Sequence, residues 1–231
     1  METFELANEN KDFRLTEAYK ALRTNITFCG SDVKVIALTS CMPNDGKSTV
    51  AWNVAVSMAE AGKKVLLIDA DLRNSVIMRR FKIGQKIVGL SHYLSDQATL
   101  QEVLYHSSLP NLDIILSGSF PPNPAELLST PKFESMVKEL REQYDYIIID
   151  TPPLGSVIDA AIIATVCDGS ILVISSGKVS YKFARDTKAQ LEKSGSKILG
   201  AVLNNVEYDS ALSHYSKSYY YHYGYGPKNA K

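Results

Sequence analysis

The sequence is poor in the residues that build metal cages and disulfide frameworks. Its three cysteines, Cys29, Cys41 and Cys167, lie far apart and beside no histidine pair. That spacing suits neither a zinc site nor paired cystines, so a reducing compartment is expected. Net charge is also absent, with 25 basic and 25 acidic residues. No general attraction to nucleic acid or to an anionic membrane follows from such a balance. No apolar run approaches the roughly 18 residues needed to span a bilayer. The first residues, Met1 to Leu6, lack the basic and apolar regions of a signal peptide. What remains is ordinary: 45% of residues are apolar and 22% charged, enough for one sizeable buried core.

Apolar residues Leu15, Ala18, Tyr19, Leu22 and Ile26 recur at helical spacing, with Glu17, Lys20 and Arg23 on the other face. Residues 33–38 read as a strand. Residues 48–61 read as a helix stopped by Gly62. Residues 65–68 form a short apolar run, as in strands buried on both faces. Further strands are predicted at 112–116, 146–149, 170–174 and 198–203. Helices are predicted near 101–105, 131–143, 157–166 and 182–194. Strands alternating with helices predict an α/β fold, a mostly parallel sheet with helices on both faces. No linker is visible inside 30–206. After Leu212 serine, lysine, histidine, glycine and many tyrosines replace the aliphatic residues. That end is expected to be a flexible tail.

Between the strand at 33–38 and the helix at 48–61 stands Cys41-Met42-Pro43-Asn44-Asp45-Gly46-Lys47-Ser48-Thr49. A strand, a loop ending in Gly-Lys-Ser and a helix together make a phosphate loop. Its backbone amides, from Asp45 through Thr49, and the helix N-terminus offer partial positive charge to phosphates. Lys47 is expected to bridge the β- and γ-phosphates of ATP, and the Ser48 hydroxyl to bind Mg2+. Cys41 stands where the usual pattern has its first glycine. The bland alternative is a chance Gly-Lys-Ser in a structural turn. Asp69 and Asp71 follow the second strand, and Asp150 ends the strand at 146–149. Ligands bind outside the carboxyl ends of parallel strands, so the three carboxylates should converge on the loop. Their bland alternative is helix capping, which fits one such aspartate better than three.

The loop, the Asp69-Ala70-Asp71-Leu72-Arg73 run and Asp150-Thr151-Pro152-Pro153 resemble the Walker A, A′ and B motifs of the bacterial tyrosine kinases. Those kinases are relatives of the partitioning and septum-site ATPases, and the resemblance covers nearly the whole chain. It implies a P-loop NTPase-like fold and ATP-dependent phosphorylation of protein tyrosines. It implies that Asp71 and Asp150 hold magnesium with Ser48. Asp69 would orient or deprotonate the incoming tyrosine, although Asp69 and Asp71 could exchange roles. Asn204 matches a position that contacts adenine, and otherwise reads as a turn residue. Pro121-Pro122-Asn123-Pro124 is similar to a segment typical of the kinases. Glu17, Lys20 and Arg23 resemble a Glu-x-x-Arg-x-x-Arg motif that joins subunits into a ring, an octamer in the family. Lys20 departs from it, keeping the charge and losing the bidentate fork. Without the resemblance, the three are a solvated face with an i,i+3 ion pair.

The division implied is a helical oligomerisation segment at 1–30, a kinase core at 31–206 and a tyrosine-rich tail at 207–231. Tyr208, Tyr215, Tyr219, Tyr220, Tyr221, Tyr223 and Tyr225 crowd that tail. By resemblance, Tyr215 and Tyr219 to Tyr225 are autophosphorylated, between subunits. By themselves they are a sticky low-complexity end or an aromatic binding surface. The resemblance further implies a split kinase subunit, cytoplasmic and recruited to the inner face of the membrane by a polysaccharide co-polymerase. A tyrosine phosphatase would oppose it, and its process would be capsular or exopolysaccharide synthesis and export. No nucleic-acid partner is expected. A partitioning-type ATPase is the main rival, but Met42 and Pro43 stand where that branch wants a second lysine. A non-catalytic adaptor displaying the tyrosines is the other rival.

Overall fold

The computed structural model describes residues 12–80 and 87–206, together with the backbone of residues 3–4. The tyrosines from Tyr208 to Tyr225 lie outside the described residues. The strands are β1 (Thr3–Phe4), β2 (Val35–Ser40), β3 (Val65–Asp69), β4 (Leu104–Ser107), β5 (Leu112–Ile115), β6 (Tyr146–Asp150), β7 (Gly169–Ser175) and β8 (Ile198–Asn204). The helices are α1 (Phe13–Thr27), α2 (Lys47–Glu60), α3 (Val76–Arg80), α4 (Leu90–Leu94), α5 (Leu100–Val103), α6 (Pro124–Leu128), α7 (Pro131–Arg141), α8 (Asp159–Ala164) and α9 (Tyr181–Lys193). The strands form one sheet in the order β1-β4-β5-β3-β6-β2-β7-β8.

The central strands are apolar up to their carboxyl ends because both faces are covered. Side chains alternate across a strand, and here the alternation divides the core in two. Ile36, Leu38, Val65, Leu67 and Ile148 pack on one face with α1 and α2. Val35, Ala37, Leu66, Ile68, Ile147 and Ile149 pack on the other with α7 and Ile163 of α8. Tyr19, Leu22 and Ile26 bring the apolar stripe of α1 onto the first of these clusters.

Among the described residues every pairing is parallel except β4 with β5. The helix expected at 101–105 is a correction: helix α5 stops at Val103 and β4 begins at Leu104. Glu102 reaches back to the amide and hydroxyl of Thr99, which starts the helix. Only residues 108–111 then separate β4 from β5, with Asn111 at positive φ. A turn that short returns the chain antiparallel. Pro124 occupies the first turn of α6, where its missing N–H costs nothing.

Candidate active site

The end of β2 delivers the phosphate loop. Asn44 and Gly46 adopt positive φ, 65° and 89°. Gly46 sits in the left-handed region where a side chain is strained, and a Cβ there would also meet Asn204 Nδ2 at 2.1 Å and push that side chain aside. Asn204 donates to the Asp45 carbonyl at 2.9 Å, so it fastens the loop from the end of β8. Asp45 is buried and accepts the Met42 amide on Oδ2 at 2.8 Å, bracing the loop from within. Burial pushes its carboxyl upward, against the amides that bind it. Thr49 lies exposed on the first turn of α2. No side chain caps α2, whose N-cap is Gly46, so its first amides face the loop without a side-chain acceptor. Cys41 is fully buried. The chain after Asp150 packs on its backbone so closely that a Cβ at Gly155 would stand 2.1 Å from the Cys41 carbonyl oxygen.

The carboxylates meet the loop at Lys47. Its ammonium donates to Asp71 Oδ2 at 3.1 Å and to Ser48 Oγ at 3.1 Å, and lies 3.6 Å from Asp150 Oδ1. Burial alone would depress the lysine, but the charges of Asp150, Asp71 and Asp69 outweigh it and hold its pKa above the usual value. Asp69 and Asp150 are register partners on β3 and β6, so they stand side by side at the strand ends. Both are fully buried. Burial, followed by the facing Asp150 charge, pushes Asp69 up to about 7. Asp150 is also raised, by burial and against the pull of Lys47. Neither Asp150 oxygen accepts a hydrogen bond among the described residues.

With Lys47 at 3.6 Å as the nearest cation and no closer donor among the described residues, the two buried oxygens have room for a second positive charge. Three carboxylates facing one ammonium leave an excess of negative charge, which suits a divalent ion. Among the described residues no group of three acidic, histidine or cysteine side chains could cage a metal by itself. Magnesium takes one or two carboxylates and completes its shell with phosphate oxygens and water. Ser48, Asp71 and Asp150 therefore fit such an ion when a nucleotide accompanies it.

Several contacts that the sequence did not announce hold this arrangement. The Ser75 hydroxyl donates to Asp69 Oδ2 and accepts the Met78 amide at 2.9 Å, joining Asp69 to α3. Asp71 Oδ1 accepts the amides of Arg73 and Asn74 at 3.3 and 2.9 Å, so this aspartate also makes the turn. Arg73 forks onto Asp159. Thr39 Oγ1 donates to the Pro152 carbonyl at 2.9 Å, and Thr151 Oγ1 to the Leu38 carbonyl at 2.9 Å. On α1, far along the chain, Lys20 pairs with half-exposed Glu17 at 2.8 Å. Arg23 turns inward instead, donating to the Ser57 carbonyl of α2 at 2.6 Å.

A family model described as an AAA domain matches residues 33–199. The tyrosine-protein kinase CpsD of Streptococcus agalactiae is 47% identical over 190 residues, 82% of this chain and 83% of that protein. Among solved structures, the kinase domain of Escherichia coli tyrosine kinase ETK superposes with a TM-score of 0.81 at 34% identity. The match covers 85% of this chain and 78% of that one. The septum site-determining protein MinD of Pyrococcus horikoshii, solved with Mg-ADP, matches at TM-score 0.65 and 25% identity, covering 77% and 72%. The fold is thus shared by the kinases and the septum-site ATPases, with the kinases nearer in sequence.

Proposed function

Since the chain belongs to the bacterial tyrosine-protein kinase family, we propose that it transfers the γ-phosphoryl group of magnesium-bound ATP to tyrosine hydroxyls, its own C-terminal cluster among them. The observation that carries this reading is the buried Asp69–Asp150 pair at the ends of neighbouring strands, beside Lys47 of the phosphate loop.

Phosphoryl transfer is mostly positioning and charge neutralisation. Without nucleotide, Lys47 neutralises Asp71 and Asp150. When triphosphate enters, the ammonium exchanges those carboxylates for β- and γ-phosphate oxygens. The uncapped amides of α2 hold the same phosphates. Asp71 and Asp150, with Ser48, are then free to hold magnesium. Magnesium when bound supplies positive charge to the phosphate oxygens. Asn204, already on the loop from the end of β8, lies at the adenine side in this reading. Asp69 accepts a hydrogen bond from the tyrosine hydroxyl and takes its proton as the phosphoryl group arrives. An ordinary aspartate, with pKa near 4, is a poor base for a phenol of pKa near 10. Burial beside Asp150 narrows that gap by pushing Asp69 up to about 7.

The division into an assembling helix, a kinase core and a substrate tail belongs to the same proposal. Glu17 and Lys20 are available on the surface of α1 for contact with another copy, while Arg23 anchors that helix to α2. A ring of copies, octameric in the family, presents Tyr215, Tyr219, Tyr220, Tyr221, Tyr223 and Tyr225 of one chain to the site of the next. Each phosphotyrosine adds roughly −1.5 to −2 charges. Several together repel one another and the aspartate-lined site, which releases the tail and loosens the ring. Among the described residues no helix is long and apolar enough to cross a membrane. In this reading a membrane polysaccharide co-polymerase recruits the kinase to the inner face of the membrane. Capsular or exopolysaccharide export is the regulated process, and a tyrosine phosphatase resets it.

Transfer between copies has a direct test. A full-length Lys47→Met chain is mixed with an active chain whose tail tyrosines are phenylalanine, and both receive magnesium and labelled ATP. Label on the tail of the Lys47→Met chain is expected. An unlabelled tail, beside a wild-type chain that does label itself, rules out transfer in trans.

A further inference from the structure

Arg73 ends the Asp69-Ala70-Asp71-Leu72-Arg73 run, and nothing in the transfer chemistry above uses it. Its Nε donates to Asp159 Oδ2 at 2.7 Å and its Nη2 to Asp159 Oδ1 at 2.9 Å. This is the planar two-point fork that only arginine makes. Asp159 is the first residue of α8 and is fully buried, whereas the Arg73 side chain is 40% exposed. The fork therefore closes over a carboxylate that has no access to water.

Its location gives it a second consequence. Asp69 and Asp150 are neighbours at the ends of β3 and β6. Beyond them the chain parts: residues 70–75 turn toward α3, and residues 151–158 run to α8. One backbone bond, from the Ala70 amide to the Asp150 carbonyl at 2.8 Å, ties the segments where they separate. Arg73 and Asp159 tie them again at the far side. The Arg73 amide also donates to Asp71 Oδ1, while Asp71 Oδ2 faces Lys47. A displacement of Arg73 is thus passed directly to the Asp71 carboxylate. The second segment is itself stapled to β2 at Thr151 and Pro152. The fork consequently references the turn to the strand that carries the phosphate loop.

We propose that Arg73 is a positioning residue for phosphoryl transfer: by clamping Asp159 it keeps the turn bearing Asp69 and Asp71 in register with Asp150 and Lys47. The proposal rests on reading those carboxylates as the transfer site. A clamp of this kind acts on the geometry of the reacting groups and leaves the nucleotide's own contacts with the loop in place. Losing it should therefore lower kcat and spare the affinity for ATP without magnesium, since Asp71, assigned to the metal, moves with the clamp.

The test compares full-length wild-type, Arg73→Lys and Asp159→Asn proteins. For each, tyrosine phosphorylation is measured at saturating magnesium–ATP, ATP affinity is measured separately without magnesium, and the thermal midpoint reports folding. Misplacement of reacting groups by about 1 Å costs on the order of 100-fold, so kcat losses of about 10- to 100-fold are expected in both variants. ATP affinity should stay within about 2-fold of wild type, as for an interaction felt only in the transition state. Arg73→Lys keeps a charge opposite the buried carboxylate, so it decides the matter if Asp159→Asn does not fold. An Arg73→Lys protein with wild-type kcat, or one whose ATP affinity falls as far as its kcat, overturns the proposal. A wild-type protein that labels no tyrosine removes the functional reading beneath it. A wild-type protein that labels tyrosine beside an equally fast Arg73→Lys protein overturns the clamp alone.

Discussion

Asp150 is fully buried and raised by desolvation, with the Lys47 ammonium at 3.6 Å and no closer donor among the described residues, a costly state for a carboxylate. Natural chains keep such groups where chemistry needs them, at the expense of stability. Asp150→Asn should therefore raise the thermal midpoint of the nucleotide-free protein by a few degrees, for a gain of about 1–2 kcal/mol. The same variant should lose phosphoryl transfer. Differential scanning calorimetry beside a phosphorylation assay checks both, and a lower midpoint contradicts the electrostatic picture. The convergence of Lys47, Ser48, Asp69, Asp71 and Asp150 was expected from the sequence, because the loop before Lys47 follows β2 and the aspartates stand at or just past the ends of β3 and β6. Their supports were not. Arg73 and Asp159 are 86 positions apart, and Gly155 matters only because Cys41 packs on it. No local pattern announces contacts made by the fold itself. Asp45 and Asn204 were visible as loop and strand-end residues, but their bonds to Met42 and to the loop carbonyl were not.

Among the elements, strands buried on both faces were the plainest to read, since β3, β6 and β7 contain the apolar runs 65–68, 147–149 and 171–174. The small elements escaped. Helices α3, α4 and α6 have five residues each, too few for a 3.6-residue period to show. Strand β4 was read as part of a helix because its pairing with β5 is set by a turn. How the elements are joined yields a pH prediction. Asp168, ahead of β7, accepts the amides of Lys34 and Val35 at 2.8 Å each and pairs with Arg141 at the end of α7. Desolvation pushes its carboxyl upward, but the Val35 amide, the Arg141 guanidinium and the Lys34 amide together hold it below the usual value. A carboxyl depressed in the folded state stabilises it above the unfolded pKa, near 3.9, and that stability is lost as pH falls through the folded pKa. Asp168→Asn should thus cost about 1–3 kcal/mol at pH 7. Its difference from wild type should shrink below about pH 4. Urea unfolding at several pH values measures it, and a pH-independent difference contradicts the charge assignment.

At the scale of the whole molecule, strand order gathers the site. Strands β3, β6 and β2 are consecutive in the sheet, although β6 comes last of the three in the chain. Asp69, Asp150 and the phosphate loop therefore leave neighbouring strands at one edge of the core, as expected where ligands bind outside carboxyl ends. The parallel α/β class was legible from the alternation of strands and helices. The insertion of β6 between β2 and β3 was not, since long-range pairing decides it and no local propensity encodes it. The same site could run a switch ATPase or a kinase, and the sequence similarity to the kinases is what separates them.

The central claim is that Lys47 and its three carboxylates move phosphate onto tyrosine. Wild-type and Lys47→Met proteins, made in a host without tyrosine kinases, are incubated with magnesium–ATP and their phosphate is mapped by mass spectrometry. Phosphotyrosine between Tyr215 and Tyr225 in the wild-type chain, and none in Lys47→Met, is the predicted result. ATP hydrolysis without phosphotyrosine in the wild type, or phosphotyrosine retained in Lys47→Met, contradicts the claim.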